Sequence, residues 1–209
     1  MTLGTNRWYF DFISPFAYLQ WPKVRALMTA HAIVPVPILF AAVLDARGQK
    51  GPAEIPGKRE FTYRHVLFQA REAGVPMRFP PSHPFNPLAA LRLCIAAGAS
   101  VASIDALFDW IWAQGRAGDT PEALEPVRSA LGLPHGAGES AEAKAGLRSN
   151  TETALDEGIF GVPTLALGNQ LFWGNDAHGF ALATLGNPAL LDDPEMRRVA
   201  SLPVGVRRS

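Results

Sequence analysis

Three short stretches hold the residue types from which a binding or catalytic site can be made. The first is Ser14-Pro15-Phe16-Ala17, directly after the aromatic run Trp8 to Ile13. Serine is a preferred helix N-cap and proline suits the first helical position. The pair therefore marks a strand-to-helix junction, where free N–H groups and the helix dipole favour an anion. On the junction alone, Ser14 reads first as an ordinary cap, since serine caps are common. The second stretch is Phe160-Gly161-Val162-Pro163-Thr164. A cis bond before Pro163 would leave the Val162 backbone open to an extended peptide; the plain alternative is a Gly-x-Pro loop. The third is Phe172-Trp173-Gly174-Asn175-Asp176. Asp176 can cap a following helix or face a ligand's ammonium group, and Trp173 also suits a core position.

Other chemistry is sparse. The single cysteine, Cys94, lies between Leu93 and Ile95 and reads as a buried small hydrophobe. One cysteine excludes an intrachain disulfide and Cys-rich metal sites. The five histidines (His31, His65, His83, His135, His178) show no H-x-x-H spacing, so no metal is expected. Ser14 lacks the G-x-S-x-G setting of a hydrolase nucleophile.

These stretches need elements to carry them. Trp8 to Ile13 reads as a strand, Phe16 to Leu27 as a helix kinked or restarted at Pro22, and Ile33 to Phe40 as a second, parallel strand. Asp45 to Gly57 reads as a loop. Helices follow over Lys58–Ala73, closed by Gly74, and over Pro87–Ala97, which Asn86 would cap. Val101, Ile104, Leu107, Phe108 and Ile111 recur at helical spacing, Thr120-Pro121 starts a fourth helix, and Ala141–Asp156 is a fifth. Thr164–Leu167 and Gln170–Trp173 flank Gly168-Asn169 as a hairpin, and Ala177–Leu185 is a last helix. The tail from Asn187 to Arg207-Arg208-Ser209 reads as a frayed surface segment. The fold class is α/β: a thioredoxin-like domain (1–45 and 159–209) whose β-α-β and β-β-α halves are separated by a loop and helical insertion (46–158).

Composition bounds the rest. The 209 residues carry 19 basic and 19 acidic side chains, so no global field draws nucleic acid or anionic membrane. The longest apolar run, Val34 to Leu44, is too short to span a bilayer. No leader pattern opens the chain, which predicts a cytoplasmic protein.

Taken together, Tyr9 to Leu19, Phe160 to Thr164 and Trp173 to Asp176 resemble the 2-hydroxychromene-2-carboxylate isomerase family. So do Gly74-Val75-Pro76-Met77-Arg78-Phe79-Pro80 and Pro84 to Leu88. That family is related to kappa-class glutathione transferases and has the DsbA-like thioredoxin fold. The resemblance implies that Ser14 contacts the sulfur of glutathione where redox relatives carry C-x-x-C. It further implies that Val162, beside cis-Pro163, pairs with the cysteinyl backbone, and that Trp173, Gly174, Asn175 and Asp176 hold the γ-glutamyl end. It implies an isomerase converting 2-hydroxychromene-2-carboxylate to trans-o-hydroxybenzylidenepyruvate by transient thiolate addition, acting as a homodimer. Gln49, Lys50 and Lys58 are the candidates for holding the aromatic carboxylate. Gln49 and Ala177 stand where relatives often have asparagine and arginine. A kappa-like transferase or peroxidase, or a non-catalytic glutathione-binding module, shares the same cofactor site.

Overall fold

The computed structural model describes residues 6–206. The expectation for Arg207-Arg208-Ser209 lies outside them. Four strands form one sheet in the order β2-β1-β3-β4: β1 (Arg7–Phe10), β2 (Val34–Pro37), β3 (Thr164–Leu167) and β4 (Gln170–Trp173). β1 runs parallel to β2 and antiparallel to β3, which forms the Gly168-Asn169 hairpin with β4.

Side chains alternate across a strand, and β1 uses both of its faces. Trp8 and Phe10 enter a core shared with the helices, while Tyr9 joins Ile38, Ile159 and Ala166 on the opposite face. All three aromatics are fully buried. A strand buried on both faces reads as a continuous apolar run, as it does here.

β1 is shorter than its aromatic run. It stops at Phe10 because the Asp11 side chain accepts the Ile13 N–H at 3.0 Å, and the Ser14 N–H bonds back to the Asp11 carbonyl at 3.1 Å. This local turn replaces the ladder. α1 (Pro15–His31) then runs continuously through Pro22, longer than the expected Phe16–Leu27. β2 also ends early, at Pro37. The expected strand to Phe40 gives way to α2 (Phe40–Ala46), whose first N–H is taken by Asp11 Oδ2 at 2.9 Å. An unbroken apolar run hides such a helix from its periodicity.

The block between β2 and β3 is helical among the described residues: α3 (Lys58–Glu72), α4 (Leu88–Ala96), α5 (Val101–Phe108), α6 (Glu125–Ala130) and α7 (Ala141–Asp156). Within the expected loop, Pro52–Glu54 forms a short 3₁₀ turn. α5 passes into a π-helical turn, Asp109–Ala113. The fourth helix starts at Glu125 and not at Pro121. Thr120 Oγ1 accepts the Ala123 N–H at 3.2 Å, but the chain makes only a turn there, and Pro126 in the first turn sets the helix start. The block packs on the sheet through one continuous core. Phe12 lies 4.8 Å from Phe108, ring to ring, and the buried Trp112 donates its Nε1–H to the Phe12 carbonyl at 2.8 Å. α8 (His178–Gly186) follows β4. The tail is more ordered than expected: Pro188–Asp192 makes a 3₁₀ turn, and Asp193 caps α9 (Pro194–Val199).

Candidate active site

Ser14 ends the Asp11 turn and begins α1. Its Oγ accepts the Ala17 N–H at 3.2 Å, as an N-cap does. The hydroxyl proton is left to donate elsewhere, and the residue is nearly buried beside a cavity of about 950 Å³. The cap and the cavity wall are therefore one residue: the oxygen that closes the start of the 17-residue helix keeps a hydroxyl proton free, at the helix end where the dipole favours negative charge.

The Val162–Pro163 bond is cis. Among the described residues, the Val162 backbone N–H and carbonyl have no hydrogen-bond partner, and Val162 lines the same cavity. The Gly174 N–H donates to the Pro163 carbonyl at 2.8 Å, which ties the end of β4 to this loop. Behind it, buried Gln20 accepts from Trp8 Nε1 at 2.7 Å and donates to the Gly174 carbonyl at 3.0 Å. β1, α1 and the turn after β4 are thus locked together by one buried side chain.

Two glycines in this corner admit no side chain. A Cβ on Gly161 would lie 2.4 Å from Trp173 Nε1. Gly174 has φ +96°, and a Cβ there would meet Asp176 Oδ1 at 2.4 Å. Trp173 is 54% exposed, with its edge against Phe160, so it is a wall and not a core residue. The Asn175 amide is held from both sides. Lys23 Nζ donates to its oxygen at 2.9 Å, and its nitrogen donates to Gln69 at 3.4 Å.

Of the sequence candidates, Ser14, Val162, Pro163, Trp173, Gly174, Asn175, Asp176 and Gln49 line this one cavity. Lys50 and Lys58 do not: both are exposed and stand outside its lining. The loop that carries Lys50 faces the cavity through Gln49, Gly51 and Glu54 instead. Asn86 lines the cavity too, and its Oδ1 accepts the Leu88 N–H at 3.1 Å, the capping role expected for it.

Sequence reasoning missed Asp11, Tyr63 and His83, which also line the cavity. His83 Nε2 lies 2.8 Å from the Ile13 carbonyl. A carbonyl only accepts, so Nε2 carries the proton and Nδ1 accepts from the Tyr63 hydroxyl at 2.6 Å. Burial holds the His83 pKa below its ordinary value. The imidazole is therefore a neutral strut that fixes the residue before Ser14. The one available signal for Asp11 was its charge inside an aromatic run. For His83, spacing rules for metal ligands carry no information about a hydrogen bond across 70 residues.

Asp11 is fully buried, and burial drives its carboxyl up to about 7, against the opposing pull of the Ile13 and Phe40 N–H donors. A folded-state pKa above the unfolded value means the folded chain binds the proton more tightly. That stability is fully present below about pH 4 and is lost as the pH rises through about 7. Wild type should therefore lose stability relative to Asp11→Asn between about pH 4 and about pH 7, by on the order of 5–10 °C in unfolding midpoint. Thermal melts of both proteins across that range test it; parallel curves would refute it.

Comparison with known proteins decides the kinship. Residues 7–185 match the family of DSBA-like thioredoxin domains. A 2-hydroxychromene-2-carboxylate isomerase of Pseudomonas putida is 30% identical over 180 residues, spanning 80% of this chain and 87% of that protein. The chain belongs to the 2-hydroxychromene-2-carboxylate isomerase family. It is an isomerase-like enzyme on a DsbA-like thioredoxin fold. A solved isomerase of that name superposes with a TM-score of 0.73 at 26% identity, covering 91% of this chain and 98% of that one. A protein named glutathione S-transferase kappa 2 from Caenorhabditis elegans is 27% identical over 201 residues, 86% of this chain and 84% of that protein.

In this isomerase-family chain the turn that could hold a redox pair carries no thiol. Cys94 is buried in α4, and burial pushes its thiol up to about 12, so it is no substitute nucleophile. No helix among the described residues is long and apolar enough to cross a membrane.

Proposed function

We propose that this chain is a glutathione-dependent cis–trans isomerase of a conjugated aromatic carbonyl compound. The observation that carries the reading is Ser14. Its uncommitted hydroxyl proton and the start of α1 meet a cavity that the unpaired Val162 backbone also borders. Three features fit the tripeptide: Ser14 for its sulfur, the Val162 N–H and carbonyl for its extended backbone, and the Asp176 carboxylate for its ammonium group. When bound, glutathione supplies a thiolate that adds reversibly to a conjugated carbon and leaves by the same bond, so rotation becomes possible and no thiol is consumed.

The chain's own residues do the rest. Ser14 and the α1 dipole stabilise the anionic sulfur and lower its pKa. Phe16, Phe40 and Phe85 give the cavity apolar walls that exclude water from the reacting bond. The reading includes a cytoplasmic homodimer, with segment 46–158 as an insertion into a thioredoxin-like domain.

Isomerisation of 2-hydroxychromene-2-carboxylate, the compound in the relatives' name, is the reference assay. Catalysis of this or a related conjugated compound should require glutathione and leave the free-thiol count unchanged. Undiminished activity in glutathione-free buffer would sink the reading, and stoichiometric thiol loss would turn it toward a kappa-like transferase. Calorimetry offers a test without turnover. Asp176→Asn should weaken glutathione binding by roughly 10- to 100-fold, the value of a charge-assisted hydrogen bond.

A further inference from the structure

We propose that Tyr63 and His83 form an acid–base pair that opens the ring of a cyclic hemiketal substrate, a step separate from the chemistry of the thiol. The inference rests on the isomerase reading above and concerns the proton transfers that reading leaves without a residue.

The substrate's chemistry demands such transfers. In 2-hydroxychromene-2-carboxylate one carbon bears both a hydroxyl and the ring oxygen. Opening the ring turns that hydroxyl into a ketone, so its proton must leave and the ring oxygen must gain one. Only the open form carries the conjugated ketone to which a thiolate adds. Ser14 is committed to the sulfur, so other groups must move the proton.

Tyr63 and His83 are placed to do so. Both line the cavity, and His83 is bonded to Ile13, directly before Ser14. The His83 Nε2 proton is given to the Ile13 carbonyl, which leaves Nδ1 as an acceptor. The Tyr63 proton lies between that nitrogen, at 2.6 Å, and the His83 carbonyl, at 2.7 Å. The Tyr63 oxygen accepts the Arg59 Nε–H at 3.2 Å and keeps a second lone pair for a substrate hydroxyl. The guanidinium also favours negative charge developing on that oxygen. Burial holds the His83 pKa below its ordinary value, so the ring is unprotonated and able to accept at neutral pH. The surroundings are apolar, with the Phe79 ring 4.6 Å from Tyr63 and the Trp112 ring 5.5 Å from His83. Two other titratable groups of the wall are less suited. Both Asp11 oxygens accept backbone N–H groups, and His65 is exposed.

The step balances without a co-reactant. The substrate hydroxyl gives its proton to the Tyr63 oxygen as the Tyr63 proton passes to His83 Nδ1. The freed electron pair forms the carbonyl bond, and the bond to the ring oxygen breaks with its pair on that oxygen. His83 then returns the proton through Tyr63 to the ring oxygen. The two substrate oxygens start on one carbon, so a single hydroxyl reaches both.

The test compares two substrates at saturating glutathione. 2-Hydroxychromene-2-carboxylate needs ring opening. cis-Benzylidenepyruvate lacks the ortho hydroxyl, cannot cyclise, and needs only the thiol. Tyr63→Phe should convert the cyclic compound about 10²-fold or more slowly than wild type, the usual loss of a general acid–base group. It should convert the open compound within about twofold of wild type, which also shows that the fold and the thiol site are intact. An equal loss on both compounds overturns the inference, because Tyr63 then only braces the site. Full activity on both overturns it too. A wild type that converts the open compound but not the cyclic one overturns the inference and leaves the glutathione reading standing. A wild type that converts neither overturns both.

Discussion

Ser14→Ala should lower kcat/KM by about 10²- to 10³-fold, the loss seen when one preorganised donor to a reactive anion is removed. The protein should stay folded. The lost cap to Ala17 costs about 1 kcal/mol, a drop of only about 2–4 °C in unfolding midpoint. The two effects separate because the serine oxygen serves the helix as an acceptor while its proton serves the ligand as a donor. A second readout is independent of turnover. The pKa of bound glutathione, followed by thiolate absorbance, should rise in the variant, since one of the two groups that favour the anion is gone. Wild-type activity in Ser14→Ala would remove Ser14 from the mechanism, whatever its structural role.

Trp112→Ala should destabilise the whole protein by about 3–5 kcal/mol, on the order of 10 °C in midpoint. Trp112 is fully buried in the π-helical turn that follows α5. It packs edge-on against Phe79 and His83 at 5.3 and 5.5 Å and donates to the Phe12 carbonyl two residues before Ser14. Truncation opens a cavity, leaves that carbonyl without its donor, and loosens both the Asp11–Ser14 turn and the His83 strut. Trp112→Phe keeps most of the ring and loses only the N–H, so about 1–3 kcal/mol is expected. A single cooperative transition should persist in both variants. If instead a helical segment melted first while the sheet held, the block would be an appended lobe and not part of the core that supports the site.

What could be read from the order of residues alone was set by local rules. Ser14-Pro15 starts a helix because a cap oxygen and a fixed φ act within one turn, and α1 begins there. Gly168-Asn169 closes a hairpin because two residues suffice to reverse the chain, and both strands match the expected bounds. Ala141–Asp156 is helical from end to end, capped by Ser140 and closed before Gly158, for the same reason. Those local signals, joined to the resemblance, sufficed for the fold and for the serine, valine and Trp173–Asp176 stretches that meet at one cavity.

The remainder was decided by contacts that no local rule reaches. Asp11 ends β1 and starts α2 through a bond spanning 29 residues, so the strand was read too long and the helix was missed. His83 reaches the Ser14 turn through a bond to Ile13 that spans 70 residues, and Tyr63 on α3 joins it only through His83. Lys50 and Gln49 are neighbours in sequence and both exposed, yet only Gln49 lines the cavity. Caps and turns are settled by dihedral angles and hydrogen bonds within a few residues, which sequence encodes directly. Burial, and with it the charge a cavity presents, depends on which distant segments exclude water from the same space, and that is settled only when the chain has folded.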